Sequence, residues 1–197
     1  MGKGRIEAFT DGVIAIVITI MVLELKIPPT ADLAGLLAVV PTLLIYALSF
    51  VNVGIFWNNH HHMLHATKHV NGTVLWANNF LLFWISLIPF LIRWIAEDGI
   101  SPWPVASYGF VLTMSALGYT YLERSIISVN RDNDVLATAL TRRWKERASL
   151  IAYISAMPLA AISPYISIAL YVASAIWWLI PDRRIEMAIG TDADSAG

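Results

Sequence analysis

Twelve residues, Gly12 to Leu23, separate the carboxylates of Asp11 and Glu24, and Thr19 is the only polar side chain among them. A helix through this run covers about 18 Å. The hydrocarbon core of a bilayer is about 30 Å thick and needs roughly 20 apolar residues to cross it. Spanning with this helix therefore brings Asp11 or Glu24 into the membrane zone, where a charge facing lipid costs from ~3 to over 10 kcal/mol. The helix is expected to sit inside an assembly and to face protein or water, the property of a pore lining. At 100° per residue, Gly12, Ile16, Thr19, Ile20 and Leu23 share one stripe. Asp11 lies off that stripe and points toward neighbouring helices. Glu7, four residues earlier, is a like charge on the same face and disfavours it, while Arg5 lies on a different face. Asp11 needs partners from elsewhere in the fold.

Composition sets the class. The chain of 197 residues is 57% hydrophobic and 14% charged with eight Trp, far from the ~25% charged residues of an average soluble protein. This is the profile of an all-α integral membrane protein. With no Cys there are no disulfides, thiolate metal sites or Cys nucleophiles. A net charge of −1 gives no reason to expect nucleic acid as a partner; the lipid bilayer is the expected one. Lys3 and Arg5 before an apolar run imitate a signal peptide. Glu7 and Asp11 spoil the basic region, however, and Leu23-Glu24-Leu25-Lys26 has no small-residue cleavage pattern, so the run is expected to persist as a helix.

Six helices are predicted in one domain, residues 1–185. The first ends at Ile27-Pro28-Pro29. The second runs from about Leu33 to Leu64, bent near Pro41, which cannot supply a backbone donor. The third covers about Val74 to Ala96 with Pro89 inside it, and the fourth roughly Pro104 to Val129. A charged connector, Asp132 to Ser149, leads to a fifth helix at about Leu150 to Ile162. Ser163-Pro164 breaks the chain before a sixth that ends near Ile180. The fifth and sixth are short, so either the connector extends the fifth or both tilt little. Residues 186–197 are expected to be a disordered tail.

Six spans place both termini on one side of the membrane with Lys3, Arg5, Lys68, Arg124, Arg131, Arg142, Arg143, Lys145, Arg147, Arg183 and Arg184, eleven of the thirteen basic residues. Lys26 and Arg93 are left on the other. Basic residues concentrate in cytoplasmic loops, so both termini are expected in the cytoplasm, in a cell membrane. Nothing repeats within the chain. One copy of the first helix cannot enclose a pore, but a closed cyclic ring of copies can.

Ile16, Ile20 and Leu23, at spacing i, i+4, i+7, would form rings of branched aliphatics that gate by excluding water, with Thr19 between them. No TVGYG-type carbonyl filter is present. The plain alternative is that this stripe only packs against other helices. Likewise Asp11 could simply sit at the positive end of a helix dipole. The functional reading gives it an interhelical network, with Trp57, Asn58, His60, His61 and Asn78 as candidate donors. A secondary transporter would show paired broken helices in repeated halves, and an enzyme a nucleophile with its base; neither signature is present.

Arg5, Phe9, Thr10 and Asp11, followed by GVIAIVITIMVLEL, resemble the R-x-x-x-F-S-D signature that opens the first helix of the transmembrane protein 175 family, lysosomal potassium channels with prokaryotic relatives. Thr10 stands where the family usually has Ser; both carry a hydroxyl. SFVNVGIFWNNHHHML and LLFWISLIPF also look like family sequence. The resemblance implies a potassium-permeable channel, not an enzyme, made of four subunits with the first helix of each at the axis. It places the narrow constriction at Ile16 and further apolar rings at Ile20 and Leu23. It matches Thr19 to the threonine linked to potassium preference, and it implies no cofactor beyond the permeant potassium ion. A secondary ion transporter or a proton-permeable leak remains the alternative.

His61, His65 and His69 repeat every four residues, with His62 nearby. Three donors strung along ~12 Å of one helix cannot reach one zinc ion, and no H-E-x-x-H is present, so no metal site is expected. Histidines at a cytoplasmic helix end suit its dipole, or could sense pH. Trp84, Trp94, Trp103, Trp177 and Trp178 read as interfacial anchors. Arg142-Arg143-Trp144-Lys145 reads as a face near anionic headgroups, or more sharply as a lipid site.

Overall fold

A computed structural model describes residues 3–130 and 144–179. Among these residues every regular element is helical: α1 (Lys3–Leu23), α2 (Leu33–His65), α3 (Gly72–Ile85), α4 (Ile88–Asp98), α5 (Pro102–Val129), α6 (Trp144–Leu159) and α7 (Pro164–Leu179). A helix satisfies its own backbone polar groups, which is what a chain in hydrocarbon requires. Three stretches are long and apolar enough to cross a membrane: α1, α2, and residues 72–98 taken through α3 and α4; α7 is apolar but shorter.

The helix ends follow from their sequence. Asp32 caps α2, its carboxylate accepting from the Gly35 amide at 2.8 Å and from the Thr30 hydroxyl at 2.6 Å. Those bonds, the Thr30 one foremost, hold the Asp32 carboxyl below the usual carboxylate range. Asn71 caps α3 through the Val74 amide at 3.1 Å. Gly99, at φ 75°, lets the chain leave α4 at a positive φ that residues with a side chain rarely adopt.

Two expectations need revision. The third segment is not one helix through Pro89. Proline lacks an N–H and its ring collides with the carbonyl four residues back, here Ile85, where α3 ends. The chain turns at Ser86 and Leu87, whose amides donate to the Leu82 and Trp84 carbonyls at 2.9 and 3.2 Å. The Ser86 hydroxyl takes up the Phe83 carbonyl at 2.7 Å, and Pro89 then sits in the first turn of α4. The fifth predicted helix starts earlier than expected, at Trp144, so the end of the charged connector does extend it. Connector residues 132–143, the end of the last helix near Ile180 and the tail at 186–197 lie outside the described residues.

α1 packs against α2 on one side and against α3 and α4 on another; α3 lies along α5, and α6 and α7 pack on α5 and on each other, with α7 reaching α2. Leu81, Leu82, Ile85, Ile88, Ile92, Leu112, Leu122 and Ile126 fill the centre. α3 and α5 approach closely because Gly118 has no side chain: a Cβ there would sit 3.0 Å from the Cα of Leu81, the small-residue contact typical of membrane helices. Asn130, just beyond α5, clamps the α2–α3 loop. Its Oδ1 accepts from the Lys68 and His69 amides at 3.0 and 2.8 Å, and its Nδ2 donates to the His69 carbonyl at 3.0 Å. Between α6 and α7, Ser174 Oγ lies 3.1 Å from both Ser149 Oγ and Tyr153 Oη.

Replacing Gly118 with Leu is expected to destabilise the α3–α5 seam by about 1–3 kcal/mol. A lowered melting temperature of the purified protein in detergent checks it, and an unchanged melting curve would show the seam to be loose.

Candidate functional site: the first helix and its ladder to the second

α1 has two faces of different character. Ile6, Thr10, Ile14, Val17 and Met21 are buried, at helical spacing. The opposite side is open in the single chain: Gly12 and Thr19 are exposed, Ile16 is 60% and Leu23 74% accessible, and Ile20 is exposed as well. The stripe predicted from periodicity is thus the uncovered side of α1. Phe9 and Arg5 also lie on exposed positions, away from the network described next.

Along its flank α1 meets the antiparallel α2 in three steps. Lys3 Nζ donates to the His65 carbonyl at 2.7 Å. The Glu7 carboxylate lies 3.2 Å from His61 Nδ1. Asp11 Oδ1 accepts the Trp57 indole N–H at 2.8 Å. The partners advance by four residues on α1 and retreat by four on α2, which is how side chains on the facing stripes of two antiparallel helices meet. Glu7 and Asp11, which repel on one helix, each have a donor on the next. The rings of Trp57 and His61 stack at 6.0 Å, which fixes the second and third rungs relative to each other.

Behind this ladder lies a buried polar triad. Thr10, His60 and Asn78 are at most 3% accessible. Asn78 Nδ2 donates to Thr10 Oγ1 at 3.0 Å, and Asn78 Oδ1 lies 2.8 Å from His60 Nε2. The amide oxygen can only accept, so His60 carries its proton on Nε2. Asn78 on α3 thereby joins α1 to α2. Of the donors expected for Asp11, Trp57 bonds it. Asn78 bonds Thr10 and His60 instead, His61 serves Glu7, and Asn58 is exposed. Lys3 and Glu7 were overlooked as rungs; the signal was the matched spacing of 3, 7, 11 against 65, 61, 57.

At the far end of α1, Glu24 Oε2 lies 3.9 Å from Arg93 Nε on α4, which also pairs with Glu97 at 3.1 Å. Thr19 donates its hydroxyl proton to the Ala15 carbonyl at 2.8 Å, so its lone pairs point outward on the open face as acceptors only. The His61 ring lies 5.8 and 6.3 Å from those of His62 and His65. Among the described residues no three His, Cys, Asp or Glu side chains are grouped so as to hold a metal ion.

A first helix braced on one flank and bare on the other, within a bundle of apolar helices, defines a multi-pass membrane protein. The sequence profile described as endosomal/lysosomal potassium channel TMEM175 matches residues 5–89. A potassium channel of Chryseobacterium sp. (strain P1-3) is 49% identical over 96% of this chain and 98% of its own length. The human endosomal/lysosomal proton channel TMEM175 is 38% identical over 34% of this chain and 16% of its own. The crystal structure of a lysosomal potassium-selective channel TMEM175 homolog from Chamaesiphon minutus superposes with a TM-score of 0.74 at 25% identity, covering 90% of this chain and 96% of that one. The chain belongs to the TMEM175 family.

Replacing Asn78 with Ala strands His60 Nε2 and the Thr10 hydroxyl in the interior, at an expected cost of about 1–3 kcal/mol. Replacing His61, on the half-exposed rung, is expected to cost under about 1 kcal/mol. Denaturation in mixed micelles ranks the two, and an equal or reversed order would remove the triad from its bracing role.

Proposed function

We propose that this chain is a potassium-permeable channel in which four copies enclose a pore lined by the open face of α1. The observation that carries this is the pairing of the two faces. One flank of α1 is bound through polar groups to α2 and α3, while Ile16, Thr19, Ile20 and Leu23 are left bare along the other. The bacterial relative and the Chamaesiphon minutus structure carry potassium-channel names, which supports the same choice of ion. A symmetric ring gives each bare face an identical neighbour and a shared axis; four is the number implied by the family resemblance.

In this arrangement Ile16 forms the narrowest ring, with Ile20 and Leu23 beyond it. Such rings hold back water and ions until they widen. Thr19 contributes hydroxyl oxygens whose protons are already committed to the helix, so the ring it forms accepts from water and favours cations over anions. The ladder and the Thr10–Asn78–His60 triad set the position of α1 and take no direct part in conduction. α1, α2, the α3–α4 pair, α5, α6 and α7 make six spans of one domain. The bias of basic residues supports cytoplasmic termini, in the membrane of a prokaryotic cell.

Purified protein in liposomes is expected to pass potassium down its gradient with no co-ion requirement, and to run in detergent at the mass of four chains. Obligatory coupling to a proton or sodium gradient would make it a transporter, and flux of protons alone would make it a proton pathway. Ile16→Asn is expected to wet the constriction, raising flux or relaxing selectivity; Thr19→Val is expected to lower the potassium-to-sodium flux ratio. Unchanged fluxes from both would remove α1 from the axis. Asp11→Ala is expected to reduce the yield of assembled protein more than the selectivity of what assembles.

A further inference from the structure

A second site lies away from α1, among four other helices. A partly open cavity of about 270 Å³ is lined by α2, α5, α6 and α7, just below the ~300–1,000 Å³ usual for ligand pockets. On α5 its lining runs from Ala116 to Arg124, about 12 Å along the helix. Arg124 lies near the end of α5 and Arg147 near the start of α6. The helices are joined at that end, so both guanidiniums sit at one end of the cavity. Both are exposed. Among the described residues neither forms an ion pair, the three pairs within 4 Å being elsewhere. Glu146 also lines this end, Glu123 is buried on the adjacent part of α5, and Lys145 Nζ lies 5.9 Å over the Trp178 ring. Away from the arginines the wall is mostly apolar, with Ile55, Phe56, Ala116 and Leu117. Trp178 is fixed in the wall by its N–H to Ser149 at 2.8 Å.

The cavity has a cationic end at the rim of the helix bundle and an apolar body running toward its middle. Two guanidiniums present planar, bidentate donors suited to a phosphate diester. They lie toward the ends of their helices, and basic pockets at the ends of membrane helices take anionic lipids. A small soluble anion would gain nothing from the apolar walls. We propose that this cavity binds one anionic phospholipid, its phosphate between Arg124 and Arg147 and the start of an acyl chain against Ile55, Ala116 and Leu117.

The site is independent of the channel reading, and its test measures lipid rather than ion flux. Purified protein is delipidated and titrated with phosphatidylglycerol or phosphatidylcholine of equal chain length, and bound lipid is counted by native mass spectrometry. Phosphatidylglycerol is expected to bind about tenfold more tightly. The double variant Arg124→Gln, Arg147→Gln should bring the two lipids close to parity. Ala116→Phe, or Thr120→Phe if the first fails to fold, should block phosphatidylglycerol while helical circular dichroism is kept. Glycerol 3-phosphate should leave the bound lipid in place. Equal binding of the two lipids by the native protein overturns the proposal, as does a preference unchanged by either class of variant. Displacement by glycerol 3-phosphate would assign a soluble phosphate site in its place.

Discussion

The three-step contact between α1 and α2 is the constraint on which the rest of the molecule depends. α1 is long and apolar enough to cross a bilayer, but apolar burial alone does not fix its register against the rest of the bundle. Its polar side chains supply that register by meeting partners on α2. Each contact is modest in water-exposed surroundings, but the three share a register. Lys3, Glu7 and Asp11 cannot slide against His65, His61 and Trp57 without all three separating together. Thr10, Asn78 and His60 add a buried bond set directly behind them, where losing a partner costs more. The C-terminal end of α1 has its own attachment, Glu24 to Arg93. What is left free is one face, and the chemistry of that face is almost wholly aliphatic.

Much of this was legible in the amino-acid order, because membrane helices are read from length and periodicity, both one-dimensional properties. The open stripe Gly12, Ile16, Thr19, Ile20 and Leu23 follows from 100° per residue and is the exposed side of α1 in the structure. The R-x-x-x-F-T-D start and the segments at 49–64 and 81–90 identified the family. The pairing within the network was not legible. Asp11, His60, His61 and Asn78 were recognisable as polar groups needing partners, yet which met which depends on the axial offset of α1 against α2. No single helix encodes that offset. Glu7 was visible only as a liability beside Asp11, because a carboxylate's value depends on a donor from another helix. Pro89 was recognised, but treating it as a kink in a continuous helix missed that Ser86 can close one helix end and let another begin.

The polar residues inside this apolar chain fall into three uses that their identities alone do not separate. Thr19, Ser49 and Thr113 return their hydroxyl protons to carbonyls four residues back, which lets a hydroxyl sit in hydrocarbon with its donor satisfied. Thr10, Asn78 and His60 bridge helices. Ser149, Tyr153 and Ser174 gather between α6 and α7, joining the two short helices by contacts that lipid does not compete for.

The Asn130 clamp makes the end of the bundle where α2 and α5 finish behave as a linkage. One side chain ties the backbone at Lys68 and His69 to the last turn of α5, and His65, three residues before Lys68, receives the first rung from α1. A displacement of the N-terminal end of α1 therefore pulls on α2, through it on the loop, and through Asn130 on α5. The N-terminal end of α1 and the distal half of the bundle are mechanically in series, so a side chain on α5 can set how easily the first helix moves.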